Sequence, residues 1–340
     1  MVDLSRLIGA LRRLRGKPHA ERPSKYRSEP GGGSDGTPIV PLDASRHSPC
    51  DRYLTIVAIA RNEGRYLPEW IEFHRLVGVA HVYLYDNGSD DDTIDVLAPY
   101  VASGFVTTIP WASFDAAAHA QRQAYAHAIC NFGGRSRWMA FIDVDEFLFP
   151  VEGDSVALTL AAYEDLPAVA VPWHIFGSAG HKRPPQGLVV ENYLERAPVP
   201  SPADSDGSLI QWKSIVDPRR VKAVKVHLFT LDGNVTGAYD EARRWIGEDA
   251  RQQWVPADGS GLPSRVLRLN HYFVRSEEEF ARKLDGCNMR GDLSLRGLQK
   301  RRAKRERKAR LIERATVRDE TILRFSERLR ERLGVRTEER

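Results

Sequence analysis

Apolar runs alternate with helical periodicity along the first part of this chain. YLTIVAIA (53–60) is apolar but for Thr55, the pattern of a strand buried on both faces. Arg61-Asn62-Glu63-Gly64 turns the chain, and Glu69, Trp70, Ile71, Phe73, His74, Leu76 and Val77 follow at helical spacing up to Gly78. The cycle repeats. AHVYLYD (80–86) reads as a second strand, and the turn Asn87-Gly88-Ser89-Asp90-Asp91-Asp92 can cap a helix over 92–101. GFVTTIPW (104–111) predicts a third strand and the Ala-rich AHAQRQAYAHAICNF (118–132) a third helix. Trp138-Met-Ala-Phe-Ile-Asp143-Val-Asp145-Glu146-Phe-Leu-Phe-Pro150 then opens as a buried strand and stops at a proline. This alternation predicts an α/β fold: a doubly wound, mostly parallel sheet flanked by helices, with its ligand at the carboxyl edge.

From 151 the alternation blurs. Strands are predicted at 168–177, 212–216, 223–229 and 265–276, a helix at 277–284, and loops or insertions at 197–207 and 236–261. Beyond Gly291 the pattern is one long charged helix with LQKRRAKRERKARLIERA at its heart, expected to be a solvated face braced by i,i+4 pairs. At the other end, residues 3–17 set Leu4, Leu7, Ile8, Leu11 and Leu14 at helical spacing among arginines. That is a basic amphipathic helix able to touch an anionic membrane surface. The Pro/Gly-rich stretch 18–49 reads as a linker. The expected organisation is therefore helix and linker over 1–50, a catalytic domain over 51–290 with halves 51–150 and 151–290, and a basic helical extension over 291–340.

Composition narrows the class. Hydrophobic content of 42%, charged content of 28% and a net charge of +4 over 340 residues are those of an ordinary globular protein. The three cysteines, Cys50, Cys130 and Cys287, lie far apart without a CxxC pair, which argues against a disulfide framework or structural zinc and for a reducing compartment. No apolar run approaches about 18 residues, and the N-terminus shows no long apolar signal region. The expected location is the cytoplasm, with an N-terminal helix that either docks on the protein or frays, or else touches the inner face of the membrane.

The chemistry centres on Asp143, Asp145 and Glu146. Strand alternation predicts that the two aspartates share one side at the strand's end. Carboxylates that close repel unless a cation lies between them, and Mg²⁺ or Mn²⁺ prefers oxygen ligands and often completes its shell with substrate phosphates. Arg61-Asn62-Glu63, the acidic turn at Asp86-Asn87 and the late His271 stand at successive strand ends and can converge on the same cleft. Each signal alone also fits a bland role: a capping turn, a surface histidine, a solvated acidic turn.

The blocks RNEGRYLPEWIEFHRLVGVAHVYLYDNGSDD and WMAFIDVDEFLFP resemble glycosyltransferase family 92, related to the broader family 2 enzymes. PWHIFGSAGH (172–181), KSIVDP (213–218), VHLF (226–229) and NHYFVRSEEEFARK (270–283) resemble later blocks of that family in the same order, so the resemblance spans roughly 53–285. It implies a GT-A fold, a nucleoside diphosphate sugar donor (a UDP-sugar first among them), a divalent Mn²⁺ or Mg²⁺, and inverting transfer to a glycan or lipid-linked acceptor. Carried over, Asp143 and Asp145 form the DxD motif. Asp145 would contact the metal directly and Asp143 the sugar or ribose, with His271 joining the metal or diphosphate. Arg61, Asn62, Glu63, Asp86, Asn87, Gln121 and Lys213 would bind the nucleotide-sugar. Trp173, His174, Phe176 and Ser178 would line the acceptor side.

A general base is also required, and Glu191, Asp240 and Glu241 are candidates because they follow the expected acceptor region. Glu146 is expected to point away from Asp145 in a structural role. A nucleotidyltransferase would also set Mg²⁺ on Asp-x-Asp, but RNEG carries too little positive charge to hold a triphosphate. A polyanion-binding adaptor would use the basic tail, yet no stacking aromatics interrupt its charges and no nucleic acid partner is expected.

Overall fold

In the computed structural model the strand β2 (Arg52–Ala60) is the axis of the sheet. The structure describes residues 40–41, 50–112, 120–198, 211–247, 264–285, 295–314 and 316–335. The predicted N-terminal helix and nearly all of the linker lie outside them. Within the linker, Val40–Pro41 forms a short strand, β1, so that this point is paired into the sheet.

β2 runs parallel to β3 (His81–Asp86) on one side and to β5 (Ser136–Phe141) on the other, and β3 runs parallel to β4 (Val106–Pro110). Helices α1 (Leu67–Leu76), α2 (Thr93–Ala102) and α3 (Ala120–Phe132) connect them. Alternation along β2 feeds two cores. Leu54, Ile56 and Ala58 pack with Trp70 and Phe73 of α1 on one face. Val57 and Ile59 pack with Tyr125, Ala128 and Ile129 of α3 on the other. That is why the sequence is apolar there on both alternating positions but for Thr55, whose buried hydroxyl donates to Ser136 Oγ at 3.0 Å. This is the predicted doubly wound α/β architecture.

The expected single strand through Pro150 is two strands. β5 ends at Phe141, and β6 (Glu146–Pro150) turns away to pair antiparallel with β14 (Leu267–His271). Between them, β7 (Ala168–Ile175) runs parallel to β14, and β9 (Trp212–Val216) runs antiparallel to both β5 and β7. β2 to β5, β7 and β14 therefore point one way, and their carboxyl ends share an edge with the start of the reversed β9.

The second half holds more strand than expected. The run 223–229 is a hairpin of β10 (Val221–Val224) and β11 (Phe229–Leu231), and the expected loop after 236 contains β12 (Val235–Tyr239) and β13 (Trp245–Gly247). Helix α4 (Glu277–Asp285) follows β14.

The basic tail departs furthest from expectation. Helix α5 (Leu295–Arg314) ends early, and β15 (Val317–Arg318) pairs with the short β8 (Glu195–Arg196) before α6 (Ser326–Leu333). Ala309, Ile312, Ile322, Phe325 and Leu329 are buried in the same core as α1. Phe325 meets Phe73 edge-on at 5.5 Å and Phe149 at 5.9 Å. Such packing fixes both segments, because buried aromatic area supplies the largest share of core stabilisation.

Candidate active site at the carboxyl edge of the sheet

Asp143, Val144 and Asp145 form the turn between β5 and β6, closed where the Glu146 N–H donates to Asp143 O at 3.0 Å. That turn, rather than strand alternation, aims the two aspartates. Asp143 Oδ1 accepts from Gln121 Nε2 at 2.7 Å, and its Oδ2 accepts from Lys213 Nζ at 2.9 Å. Asp145 Oδ2 accepts from Lys283 Nζ at 2.6 Å, while its Oδ1 stands 3.5 Å from His271 Nε2. Gln121 comes from α3, Lys213 from the start of β9, His271 from the end of β14 and Lys283 from α4. Four elements distant in sequence thus deliver to one turn.

Glu146 lies beneath them, fully buried. Its Oε2 accepts from the Asp143 N–H at 2.8 Å and is 3.6 Å from Lys213 Nζ. Burial pushes its pKa well above the usual carboxylate range against the pull of Lys213. Burial also disfavours charge on Asp145, but Lys283 and His271 outweigh it and hold that carboxyl well below its ordinary value. Asp143 is likewise lowered, Lys213 overcoming burial and the neighbouring Asp145. For Lys213 the Asp143 and Glu146 carboxylates outweigh burial and raise its pKa, so it stays an ammonium. Burial lowers His271 to about 4 despite Asp145, so its imidazole is neutral near pH 7.

These donors suit a hard divalent ion. Asp145 and the neutral His271 Nε2 face a common point, and His271 Nδ1 has no hydrogen-bond partner. Its neighbour at 3.9 Å is Glu146 Oε1, also unpartnered, on the side where a carboxylate would orient a metal-binding imidazole but beyond hydrogen-bond distance. Asp143 fits less well, since Gln121 and Lys213 already occupy its two oxygens. Among the described residues no cluster of three or more His, Cys, Asp or Glu side chains forms a cage by itself. Any ion here would draw much of its shell from a ligand.

The loops after β2 and β3 meet beside this turn. Asn62, at φ 56°, donates through Nδ2 to Asp90 Oδ1 at 2.6 Å and accepts the Asp90 N–H through Oδ1 at 2.9 Å. Arg61 lies 3.9 Å from Asp90. Glu63 is held by Arg275 Nη1 at 3.0 Å, and Arg275 stacks over Tyr66 at 3.8 Å. Asp86 accepts the Ser89 N–H at 3.2 Å, and the Asn87 N–H bonds Ala60 O at 2.8 Å, stitching the two strand ends together.

The expected acceptor residues do not share one surface. Trp173 points to the cluster, meeting His271 edge-on at 4.4 Å. His174, its neighbour on β7, faces the other way. There burial first, then the charges of Arg268 and Arg196, bring its pKa to about 3. Phe176 is wholly buried against Tyr272, 4.9 Å between rings, and so cannot line a cleft. Ser178 is buried and gives its N–H to Glu313 Oε1 at 2.6 Å.

None of the three candidate bases reaches the cluster. Both oxygens of Glu191 are taken by Arg330. Asp240 is fully buried and accepts from Arg244 N at 2.8 Å and Arg244 Nε at 2.7 Å. Glu241 accepts the N–H groups of Arg265 and Val266, each at 2.8 Å, just before β14 begins. His271 ends that strand, five residues beyond Val266, so about 17 Å separates Glu241's contact from the site at ~3.3 Å per residue. Each carboxylate has a structural bond that accounts for it.

Two cations escaped the sequence reading. Lys283 lies in the quoted NHYFVRSEEEFARK block, where nothing in its spacing marks it out. Lys308 sits in the basic tail, and the signal there was the apolar interruption at Ala309 and Ile312, which faces that turn of α5 inward.

The glycosyltransferase family 92 model matches residues 60–239. A family 92 protein of Ricinus communis is 29% identical over 241 residues, covering 68% of this chain and 37% of its own length. One of Oryza sativa subsp. japonica is 30% identical over 178 residues, 51% of this chain and 27% of its own. The chain thus spans about a third of the length of these curated relatives. Solved structures that align with it include S. aureus TarS 1–349, with TM-score 0.33, 13% identity, 75% of this chain and 70% of that one covered. Another is the mannosyltransferase PcManGT from Pyrobaculum calidifontis with GDP-Man and Mn²⁺, at TM-score 0.28, 15% identity, 49% and 42% covered. The family match covers more than half of the chain and contains the Asp143–Asp145 turn, Gln121, Trp173 and Lys213: the chain belongs to glycosyltransferase family 92.

Proposed function

We propose that this chain is the catalytic unit of a GT-A-type glycosyltransferase that moves a sugar from a nucleoside diphosphate sugar, a UDP-sugar, to a hydroxyl of a glycan or lipid-linked acceptor, with inversion. The observation that carries this reading is the meeting of Asp143, Asp145, His271, Lys213 and Lys283 at the carboxyl edge of the sheet. In the reaction the acceptor oxygen forms a bond to the anomeric carbon as the bond to the diphosphate breaks. The hydroxyl proton leaves to a base and the electron pair goes to the diphosphate. Direct displacement from the opposite face inverts that carbon.

Mn²⁺ or Mg²⁺ bound by Asp145 and His271 would offset the charge of the leaving diphosphate. The chain's own residues do the rest. Lys213 fixes Asp143 toward the sugar, Gln121 holds its other oxygen, and Glu63, Arg61, Asn62, Asp86 and Asn87 bracket the nucleoside between two strand ends. Alignment of donor and acceptor in this frame supplies much of the rate enhancement. Trp173 walls the site on the acceptor side.

The test is calorimetric titration of the protein with UDP, GDP, CDP and ADP, with and without Mn²⁺, on wild type and Asp145→Asn. Binding of UDP that strengthens with Mn²⁺ in wild type and loses that dependence in Asp145→Asn is the expected result. No binding of any of the four by folded protein, with Mn²⁺ present, overturns the assignment.

A further inference from the structure

Helix α5 lies outside the residues matched by the family model, yet it reaches the candidate site. Its inward face is set by helical spacing: Arg305, Lys308, Ala309 and Ile312. Arg305 Nη1 donates to Lys283 O at 3.0 Å, tying α5 to α4. Ala309 and Ile312 are buried, and Glu313 accepts the Ser178 N–H at 2.6 Å. Anchors on both sides thus pin the turn that carries Lys308.

Lys308 Nζ lies 4.6 Å from the centre of the Trp173 ring and 4.6 Å from that of Phe273. Those rings also hold the rest of the cluster. His271 meets Trp173 at 4.4 Å and Phe273 at 5.5 Å, and Lys283 Nζ is 4.8 Å from Phe273. Lys283 has Asp145, and Lys213 has Asp143. Among the described residues Lys308 has aromatic faces but no hydrogen-bond or ion-pair partner. Burial, with the nearby charge of Lys283, lowers its pKa to about 8. Asp145 and Glu146 offset its charge only in part, because Asp145 is bonded to Lys283 and Glu146 Oε2 to the Asp143 N–H.

We propose that Lys308 of α5 is a diphosphate-binding residue, and that it and Lys283 form an anion subsite completed by the C-terminal helix. This rests on the donor reading above and adds a contact to it. The leaving diphosphate gathers charge as the glycosidic bond breaks, and an ammonium fixed beforehand stabilises that charge without reorganisation. The rings of Trp173 and Phe273 cover part of the Lys308 ammonium, which limits its screening by water.

The probe is inorganic pyrophosphate, titrated calorimetrically into the full chain without nucleoside, alongside UDP and uridine. In Lys308→Met, pyrophosphate and UDP should bind roughly 10- to 100-fold more weakly, the usual worth of a charge-assisted contact. Uridine should bind within about twofold of wild type. Lys308→Arg, which keeps the charge, should hold pyrophosphate within about fivefold of wild type. If Lys308→Met binds pyrophosphate as wild type does, the subsite is wrong and the donor reading stands. Folded Lys308→Arg that binds pyrophosphate as poorly as Lys308→Met also overturns it, because charge would not be what matters. If wild type binds no pyrophosphate but does bind UDP, the subsite is again wrong. If wild type binds none of these, nor any nucleoside diphosphate with Mn²⁺, the donor reading falls and the subsite with it.

Discussion

Lys213 and Asp143 are joined by a 2.9 Å hydrogen bond at the bottom of the carboxyl edge, with the lysine 1% exposed. The pair locks the β5–β6 turn to β9, and Glu146 lies 3.6 Å from the same ammonium. Removing one partner of a buried ion pair costs more than the pair contributes, since the other charge is left stranded. Lys213→Met should therefore lower unfolding free energy by about 1–3 kcal/mol, read from urea denaturation, the loss limited because Asp143 is one-third exposed and can be solvated. Proton uptake by Glu146 would soften the loss as pH falls. A change below about 1 kcal/mol would mean that the turn is held by its hydrogen bonds alone.

Ile312 tests whether the C-terminal helix is part of the folded core. It is fully buried beside Ala309, in one cluster with Phe325 and Leu329. Ile312→Ala should cost about 2–4 kcal/mol, the range for truncating a buried branched aliphatic. It should also expose the α5 segment to limited proteolysis before the sheet unfolds. Wild-type stability in this variant would show that α5 rests on the domain without contributing to it.

Much of the fold could be read from the chain because its central strands are dry on both faces. β2, β3 and β5 show as apolar runs, and α1 and α3 show as the 3.6-residue pattern between them. The break at Asp143–Asp145 was hidden, because an apolar run on each side of a turn looks like one strand. β12 and β13 were missed because their short runs carry Gly237 and Gly247, and Gly237 is needed where a side chain would strike Trp245 and Ile246 O. The turns that fix Asn62 and Asp86 at the strand ends were legible. Lys283 and Lys308 were not, since their meaning arises only when helices distant in sequence pack against Trp173 and Phe273.

Glu69 should make stability fall with rising pH. Burial raises its pKa from 4.5 to about 7, against the two backbone N–H groups of Val189 and Val190 that it accepts. The folded state then binds the proton more tightly than the unfolded chain. Its contribution is full below pH 4.5 and is lost as pH climbs through about 7. The loss amounts to roughly 3 kcal/mol if nothing else titrates. Glu69→Gln cannot ionise, so its melting temperature should be flatter than that of wild type across this window. Parallel profiles for the two proteins would assign the slope to other groups.

The carboxylates once expected to serve as base give the last test. Removing a true general base costs about 10²- to 10⁴-fold in turnover. Glu191, Asp240 and Glu241 each spend their oxygens on Arg330, on Arg244, or on the chain entering β14. Their replacement should act on stability and leave chemistry alone. Asp240→Asn should show the largest fall in melting temperature, because its carboxylate is fully buried against an arginine. Assayed well below its melting temperature with the donor that calorimetry selects, each of Glu191→Gln, Asp240→Asn and Glu241→Gln should keep kcat within about threefold, well short of the cost of losing a base. A hundredfold drop in kcat at unchanged KM, in a variant whose melting temperature has not moved, would restore that carboxylate as the base. It would also require the loop bearing it to swing toward Asp145 when substrate binds.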